Sequence, residues 1–378
     1  MKPRLVLVVT VPVTANVLLR GQLAYLGERF DVTVISSPGP DLDEVERREH
    51  VRVVAVPIER EIAPQADAAS LVRLTRELRA LRPHIVNAST AKAGLLGMMA
   101  AKGLRVSARI YQLRGLRLET EAGVKRAVLG ATERVAAACA HRVWCNSESL
   151  RTVYVAAGFA SAQKCSVLGA GSSNGVDVER FTATPVHRAR SLALRRELGI
   201  ADDAPIVGFV GRPVADKGIA ELLSAFDRVR EAIPRTRLIV VGAGFAGDRA
   251  TAELAARADV VLVPRVPEPA PYYAMMDVLA FPSRREGFPN APLEAAVAGV
   301  PTVGIRATGV VDAVVDGQTG RLVPPRDVRA FADALVAYLG DSQLRRSDGE
   351  RARARALESF ARERVWERIR LAYEELVR

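Results

Sequence analysis

The residues best suited to chemistry lie in one segment that contains two glutamates, Glu286 and Glu294. Glycine and proline between them favour an irregular turn, Asn290 can cap a helix, and Pro292 suits a first helical turn. Glu286 is therefore predicted in a loop and Glu294 on the following helix. Such a turn aims backbone N–H groups and a positive helix end at a ligand. One carboxylate before it can accept sugar hydroxyls and one after it ribose hydroxyls. A glycosidase also carries two carboxylates, but nothing in the sequence indicates that one of these is kept protonated.

A second segment, 211–218, places two cations beside a predicted helix start. It begins with Gly211, contains Arg212 and Lys217, and follows a predicted strand. Glycine lets the backbone approach a ligand, and a helix N-terminus adds partial positive charge. The two cations could clamp a diphosphate. A surface loop of solvated charges would look similar, so this segment alone leaves both interpretations open.

A third segment, 242–247, matches the glycine spacing of the dinucleotide-binding fingerprint. That fingerprint requires an acidic residue after the next strand, yet Pro264 and Arg265 follow it. A nicotinamide or flavin site is therefore disfavoured. The spacing favours a tight strand-to-helix turn in which Gly242 and Gly244 can face a ligand cleft.

The elements that must position these loops are short runs of valine, isoleucine and leucine, which alternate with longer helical patterns. This alternation predicts an α/β fold of parallel sheets covered on both faces by helices. The predicted strands are 4–9, 32–36, 51–56, 84–87, 108–113, 142–146 and 165–168 in one set and 205–210, 237–241, 260–263, 278–281, 301–305 and 321–323 in another.

Residues 182–203 carry no strand signal and separate the two sets. We therefore predict doubly wound, Rossmann-like domains at 1–185 and 186–360, and a helix at 361–378 able to pack back on the first domain. Ligands bind outside the carboxyl ends of strands in such sheets, so the loops after strands should line a cleft between the domains.

The composition indicates a well-cored globular protein. Of 378 residues, 49% are hydrophobic and 26% charged, which excludes a disordered chain. Three cysteines form no CxxC pair and four histidines show no metal-ligand spacing, which favours a reducing, cytoplasmic compartment.

The apolar start at 5–19 is interpreted as a buried strand and loop rather than a signal peptide, because Pro12 and Asn16 interrupt it and no cleavage site follows. Asp41-Leu42-Asp43, in a predicted polar loop, is interpreted as a chance match to a metal-binding DxD motif.

The formal net charge of +11 fits nucleic acid, an anionic membrane surface or phosphorylated substrates as partners. Aromatic residues make up 5% and no basic and aromatic stripe occurs, which argues against nucleic acid. The basic segment 71–82 has two interpretations, a docking surface for the membrane and an ordinary solvated helix.

Over essentially its whole length the chain resembles the retaining glycosyltransferases of family 4, which have the two-domain GT-B fold. The segments that carry the resemblance are Gly211-Arg212, Lys217-Gly218, Val241-Gly242-Ala243-Gly244, Asp277 ahead of Phe281-Pro282-Ser283, Glu286-Gly287-Phe288-Pro289-Asn290, Glu294, and Asn174-Gly175-Val176-Asp177 with Phe181.

The resemblance implies transfer of a hexose or an N-acetylhexosamine from a nucleoside diphosphate sugar, with retention of anomeric configuration and without a metal or cofactor. UDP is the first choice of nucleotide. The donor would be held mainly by the C-terminal domain and the acceptor mainly by the N-terminal one. By position, the diphosphate would contact Arg212 and Lys217, and the ribose would contact Glu294. The base would contact the backbone at Arg265 and Val266. The donor sugar would contact Glu286 and the backbone at Gly287, Phe288, Pro289 and Asn290.

The resemblance implies that the phosphate oxygen that leaves the donor sugar helps to deprotonate the acceptor. The acceptor then attacks the sugar from the same face that the phosphate leaves. Negative charge then grows on the diphosphate, so cations and helix dipoles stabilise the transition state more than the ground state.

The chain departs from the family at two positions of the N-terminal half. Segment 10–16 lacks the glycine pair common after the first strand, and Arg114 stands where many members have a histidine. An arginine there could contact the diphosphate or a charged acceptor, but it cannot act as a base. The alternative is a salt bridge from Arg114 to Glu119 or Glu121.

The stretch around Arg114 resembles the corresponding stretch of the subgroup that builds surface polysaccharides. The acceptors of that subgroup are often lipid-linked. A glycan, a lipid-linked glycan and a small molecule all remain open as the hydroxyl acceptor, and contact with the inner face of the plasma membrane is one interpretation. Two rival functions are a nucleotide-sugar epimerase and a non-catalytic nucleotide-sugar-binding protein of the same fold.

Overall fold

The computed structural model describes residues 1–243 and 249–377, without the side chains of residues 249 and 250. The chain divides into two compact units. The first consists of residues 1–174 with the C-terminal segment from Glu363, and the second of residues 175–362. The predicted boundaries at residues 185 and 360 lie close to these divisions but do not coincide with them.

The first unit contains a seven-stranded parallel sheet in the order β3-β2-β1-β4-β5-β6-β7. Its strands are β1 (Arg4–Val8), β2 (Asp31–Ser36), β3 (Arg52–Ala55), β4 (Ile85–Ser89), β5 (Ala108–Leu113), β6 (Arg142–Cys145) and β7 (Cys165–Val167). Its helices up to residue 174 are α1 (Pro12–Leu18), α2 (Gln22–Gly27), α3 (Pro40–Glu49), α4 (Pro64–Leu81), α5 (Ala91–Gly103), α6 (Gly123–Cys139) and α7 (Glu148–Ala156).

The second unit contains a six-stranded parallel sheet in the order β10-β9-β8-β11-β12-β13. Its strands are β8 (Ile206–Val210), β9 (Arg237–Ala243), β10 (Val260–Pro264), β11 (Val278–Phe281), β12 (Thr302–Ile305) and β13 (Gly320–Val323). Its helices are α8 (Val178–Phe181), α9 (Pro185–Glu197), α10 (Ile219–Ala232), α11 (Arg249–Ala255), α12 (Ala270–Tyr273), α13 (Asn290–Val297), α14 (Val310–Ala313), α15 (Val328–Gly340) and α16 (Ser342–Phe360).

The last helix, α17 (Arg362–Glu375), belongs almost entirely to the first unit. Val365, Ile369 and Tyr373 join one of the first unit's hydrophobic clusters, and the Tyr373 ring centroid lies 5.0 Å from that of Trp144 on β6. Apolar residues at helical spacing on this otherwise charged segment therefore fix it to the sheet.

Central strands are buried on both faces, as their continuous valine, isoleucine and leucine runs predict. Residues Leu5 to Val8 on β1 and Ile206 to Phe209 on β8 are all buried. The predicted α/β class with two parallel sheets is confirmed. No helix in the described ranges is both long and apolar enough to span a bilayer.

The loop predicted around Asp41 and Asp43 is wrong. Asp41 and Asp43 lie in the first turn of α3, not in a polar loop, because Pro40 occupies a first helical position and starts the helix there. Their carboxylates lie where acidic side chains complement a helix dipole, and Asp41 Oδ1 also accepts a hydrogen bond from Asn16 Nδ2 at 2.5 Å.

Each sheet reverses its strand order at one place. In the first sheet β1 pairs with both β2 and β4, and in the second β8 pairs with both β9 and β11. Loops at the carboxyl ends of strands diverge at such points and leave a crevice for ligands. The second reversal brings together segments 211–218 and 282–289, which follow β8 and β11.

Candidate functional site

The loops after β8 and β11 are joined by an ion pair between Lys217 Nζ and Glu286 Oε1. Ser283 Oγ donates a hydrogen bond to the same oxygen at 2.7 Å. The Lys217 side chain is 24% exposed and that of Glu286 15% exposed, so solvent screens this pair only in part. Lys217 and Glu286, which were predicted to contact the same nucleotide-sugar donor, thus lie side by side, and both side chains remain partly exposed.

Further contacts between the loop after β8 and the loop after β11 fix the backbone of both. Arg284 N donates to Asp216 O at 3.0 Å, and Arg285 Nη2 lies 3.0 Å from Asp216 Oδ2. Gly218 has φ +73°, and a Cβ there would stand 2.3 Å from Pro282 O. Glycine at this position therefore lets the two loops touch, which holds Lys217 beside the β11 loop.

Gly211 and Gly242 also lie against each other. Gly242 has φ +109°, and a Cβ built on it would come within 2.7 Å of Gly211 O. Both residues were predicted to bind donor, and the structure adds a packing reason for glycine at position 242. Gly244, predicted beside them, lies outside the described residues.

The turn before α13 presents polar groups without protein partners. Within the described residues, the backbone N–H groups of Gly287, Phe288 and Asn290 have no protein acceptor, and the buried Asn290 Oδ1 has no hydrogen-bond partner. The Phe288 ring packs on that of Phe360 with centroids 5.0 Å apart, which anchors the turn. Unpaired donors at a helix N-terminus form a site for oxyanions and hydroxyl groups.

Asn290 was expected to cap this helix, and that expectation is wrong. Pro289 occupies the N-cap position and no side chain caps α13. The reason is that Asn290 is already the first helical residue, so its side chain lies past the orphan N–H groups that a cap would satisfy. Its amide oxygen is buried and has no hydrogen-bond partner in the described residues.

Glu294, on α13, accepts a hydrogen bond from Tyr273 Oη at 2.6 Å. Burial raises the pKa of Glu294, while the Tyr273 hydroxyl and the positive charge of Arg180 act in the opposite direction. Arg180 Nε in turn lies 3.2 Å from Glu268 Oε2. The carboxylate is thus oriented by a buried tyrosine, an arrangement suited to holding a diol through its second oxygen.

The remaining predicted donor residues are more exposed. Arg212 is exposed and makes no ion pair among the residues that the structure describes. Arg265 N donates to Ala243 O at 3.0 Å while its side chain points to solvent, and Val266 is half-buried. Arg212 lies just after the carboxyl end of β8, and Arg265 and Val266 lie just after that of β10.

In the first unit Arg114 directly follows β5 and carries a buried charge without a partner. Its Nε and Nη1 atoms have neither solvent contact nor a hydrogen-bond acceptor. Burial lowers the pKa of this guanidinium to about 10. In the described part of the chain no ion pair joins it to Glu119 or Glu121, and Glu121 Oε1 instead lies 2.7 Å from Lys125 Nζ. The salt-bridge interpretation of Arg114 is therefore wrong.

Two threonines stand at the strand reversal of the first sheet. Thr10 follows β1 and Thr90 follows β4, and their Oγ1 atoms are 2.6 Å apart. Thr90 has φ +75°, a strained conformation for a β-branched residue. Such strain concentrates at functional sites, which makes this pair a candidate that the sequence did not reveal.

Comparison with known proteins gives a match over nearly the whole chain. The capsular polysaccharide biosynthesis glycosyltransferase CapM of Staphylococcus aureus is 34% identical over 363 residues, which are 94% of this chain and 93% of CapM. The chain belongs to the GT-B glycosyltransferases. Residues 14–171 of this glycosyltransferase match the family described as glycosyl transferase 4-like domain, and residues 204–341 match glycosyl transferases group 1.

Other relatives of the glycosyltransferase cover less of it or are more distant. D-inositol 3-phosphate glycosyltransferase of Kribbella flavida is 38% identical over 47% of this chain and 44% of its own length. HepE of Anabaena, solved with UDP and glucose, has a TM-score of 0.82 at 20% identity and covers 99% of this chain and 100% of its own. Sucrose-phosphate synthase of Thermosynechococcus elongatus also has a TM-score of 0.82 at 20% identity, covering 100% and 99%. These two structures support the fold.

Sequence reasoning missed Tyr273, Arg180, Ser283 and the threonine pair of this glycosyltransferase. Tyr273 lies on the four-residue helix α12, and its spacing from Glu294 gives no pattern. Ser283 lies within a segment that carried the family resemblance, but only the fold reveals its contact with Glu286. No group of three or more metal-ligating side chains occurs in the described ranges.

Proposed function

We propose that this enzyme is a retaining glycosyltransferase that uses a nucleoside diphosphate sugar, with UDP as the first choice of nucleotide. The acceptor is a hydroxyl group on a growing polysaccharide or its lipid-linked precursor. The observation that carries the proposal is the juxtaposition of the Lys217–Glu286 pair with the unpaired N–H groups before α13. The names of CapM, a capsular polysaccharide enzyme, and of HepE, solved with UDP and glucose, agree with it.

The diphosphate is the proposed partner of the cations in the second unit. Arg212 and Lys217 supply charge, and the N-terminus of α13 supplies backbone N–H groups. As the bond to the sugar breaks, negative charge collects on the leaving phosphate, so these groups bind the transition state more strongly than the donor. They provide the positive charge that other enzymes take from a metal ion, so we propose that the reaction needs none.

Glu286 is the proposed contact for donor sugar hydroxyls and also orients Lys217. Its Oε1 atom is engaged by Lys217 and Ser283, which leaves Oε2 to accept from a hydroxyl group. Asn290 Oδ1 offers a second acceptor and the N–H groups of Gly287 and Phe288 offer donors. A sugar with several hydroxyl groups matches this alternation of donors and acceptors.

Arg114 is the proposed contact for an anionic group of the substrates. A buried guanidinium without a counter-charge is costly, and a phosphate or carboxylate that arrives with the substrate would remove that cost. Arginine cannot take a proton from the acceptor. Deprotonation is therefore assigned to the leaving phosphate oxygen, which also accounts for retention because attack and departure share one face.

We propose a cytoplasmic location with peripheral contact to the inner membrane face through α4. Arg73, Arg76 and Arg79 are exposed on this helix, and Val72 is 70% exposed, whereas Glu77 is half-buried. Basic and apolar exposure on one helix suits an anionic lipid surface. Sedimentation with liposomes that does not depend on anionic lipid would remove this part of the proposal.

The test combines donor binding with product analysis. Thermal shift against UDP-, GDP-, ADP- and TDP-sugars identifies the donor, because a ligand that binds the folded state raises the melting temperature. Product formation is then measured with and without acceptor in EDTA, and NMR gives the anomeric configuration. We expect an acceptor-dependent product with the donor's configuration. A changed sugar nucleotide formed without acceptor would indicate an epimerase, and binding without turnover would indicate a non-catalytic binder.

A further inference from the structure

A pocket of about 400 Å³ opens at the amino edge of the first-unit sheet, opposite the edge that carries Arg114. It lies where β1, β4 and β5 begin and where α4 and α5 end. Its polar lining consists of Arg4, Arg79, Arg82, His84, Arg105 and Ser107. No acidic side chain is among its lining residues, so four guanidinium groups face a space without a negative charge.

Hydrogen bonds within the pocket orient two of these side chains. Arg4 Nε donates to Arg82 O at 2.7 Å, and Arg4 N donates to His84 Nδ1 at 2.9 Å. Because His84 Nδ1 accepts, the proton of the neutral ring lies on Nε2, so this atom is a further donor. Every side chain fixed in this way offers donors to the pocket.

The four arginines of the pocket lack ion pairs in the described part of the chain. Other arginines on this protein's helices do pair, as Arg370 does with Glu367 and Glu374. The C-terminal ends of α4 and α5 favour cations nearby, which accounts for Arg79 and Arg82 in part. Helix ends do not explain Arg4, which stands at the start of a strand.

The positive charge continues beside the pocket. A second depression of about 310 Å³ shares Ser107 and is lined by Arg109, His141 and Arg142. Burial and the charges of Lys102 and Arg109 lower the pKa of Lys164, and burial with the charges of Arg109, Lys164 and Arg142 lowers that of His141. Neighbouring cations thus repel one another along this edge, and an anion would relieve that repulsion.

We propose that the amino-edge pocket binds a phosphate group, carried either by a soluble phosphate compound or by a phospholipid headgroup. Arginine forks match the geometry of phosphate oxygens, and Ser107 and His84 add neutral donors. Leu104, which is half-buried at the pocket, supplies apolar contact for the rest of the ligand. None of its lining residues belongs to the proposed donor site, whose cations lie in the other unit.

Calorimetry with pyrophosphate tests the pocket in an Arg212→Ala/Lys217→Ala background, which removes the donor site's cations. We expect binding to remain there and to weaken at least tenfold when Arg82→Gln and Arg105→Gln are added. Arg346→Gln with Arg353→Gln, at exposed positions of α16 outside the pocket and without an ion pair in the described residues, is the matched control and should leave the affinity unchanged. Circular dichroism without ligand checks folding. Arg79→Gln alone, at an exposed position, provides a milder variant with an expected loss of at least threefold.

Vesicles of phosphatidylcholine with and without phosphatidylglycerol distinguish the two sources of phosphate. Sedimentation that needs phosphatidylglycerol, is competed by pyrophosphate and is lost in the Arg82→Gln/Arg105→Gln protein assigns the pocket to a lipid headgroup. Pyrophosphate binding without sedimentation assigns it to a soluble compound. The proposal is overturned if the background protein binds no pyrophosphate, or binds it equally well with both glutamines present. Neither result bears on donor binding.

Discussion

Lys217 Nζ and Ser283 Oγ share one acceptor, the Oε1 atom of Glu286. The carboxylate therefore limits where the lysine can point before any ligand arrives. Prior orientation of this kind lets a charged group act on a transition state without first being reorganised. It also means that a change at Glu286 acts on the proposed diphosphate contact as well as on the sugar contact.

The first prediction concerns the cations proposed to hold the diphosphate. Arg212→Ala or Lys217→Ala should each lower kcat at least tenfold, which corresponds to about 1.4 kcal/mol of activation free energy. The reason is that both stabilise charge that develops on the leaving group. Steady-state kinetics with the donor identified by thermal shift measures kcat for each variant.

Arg284→Ala is the matched control for that experiment. Arg284 lies in the β11 loop, but its guanidinium pairs with Glu221 on α10 rather than with Lys217 or Glu286. Its removal should change kcat less than threefold. Turnover equal to that of the wild type in folded Arg212→Ala and Lys217→Ala proteins would contradict the assigned roles.

The second prediction concerns the tyrosine that orients the proposed ribose contact. Tyr273→Phe removes the 2.6 Å hydrogen bond to Glu294 and with it an influence that lowers the pKa of this carboxyl group. We expect the donor KM to rise three- to tenfold with little change in kcat, because the ribose is bound equally in ground and transition states. The increase should be larger at pH 6 than at pH 8, since the carboxyl group gains a proton more readily without Tyr273.

Tyr272→Phe, one residue earlier on α12, is the control and should leave the donor KM as it is. A fall in kcat at constant KM in Tyr273→Phe would instead place Glu294 at the reacting atoms.

The third prediction concerns stability and a buried carboxyl group in the first unit. Burial raises the pKa of Glu133 to about 7, although Tyr111 Oη donates to its Oε2 at 2.9 Å. The folded state therefore holds this proton more tightly than the unfolded state, whose glutamate has a pKa of about 4.3. The free energy of unfolding should fall as pH rises from about 4.5 to 7 and then stay at its lower value.

Glu133→Gln should remove this pH dependence and stabilise the protein at pH 8 by roughly 3 to 4 kcal/mol. The melting temperature at pH 5 and pH 8 measures the effect, with Glu46→Gln on the exposed side of α3 as control. An equal drop in melting temperature between the two pH values in wild type and Glu133→Gln would show that Glu133 is not the responsible group.

The sequence predicted all thirteen strands of the two sheets, because buried parallel strands consist of short apolar runs that helical patterns separate. It also placed Glu286 in a loop and Glu294 on a helix, since glycine and proline mark the turn between them. These signals are local, and local preference agrees with the fold at these positions.

Contacts across the fold were not predictable in the same way. The hydrogen bond from Tyr273 to Glu294 and the ion pair between Lys217 and Glu286 join residues far apart in sequence, so they depend on which strands are neighbours. The state of Arg114 was also open, because a nearby glutamate makes a salt bridge plausible in sequence and only the fold shows that the two do not meet. The prediction that Asn290 caps α13 was wrong because the helix begins one residue earlier than expected.

The last prediction separates function from stability at Arg114. Its Nε and Nη1 atoms are buried without acceptors, so the unliganded protein carries the cost of a desolvated charge. Arg114→Met keeps an apolar stem of similar length and removes the charge. We expect it to raise the stability of the free enzyme by about 2 kcal/mol while lowering kcat/KM for the acceptor at least tenfold.

Arg117→Met, in the same loop, provides the comparison because Arg117 pairs at the surface with Glu61. It should change neither quantity by more than a small amount, as expected for an exposed ion pair. Arg114→Lys should keep part of the activity, since an ammonium retains the charge but loses the planar fork. A protein that Arg114→Met destabilises and leaves fully active would show that the guanidinium serves packing alone, and the anionic contact assigned to it would then have to be abandoned.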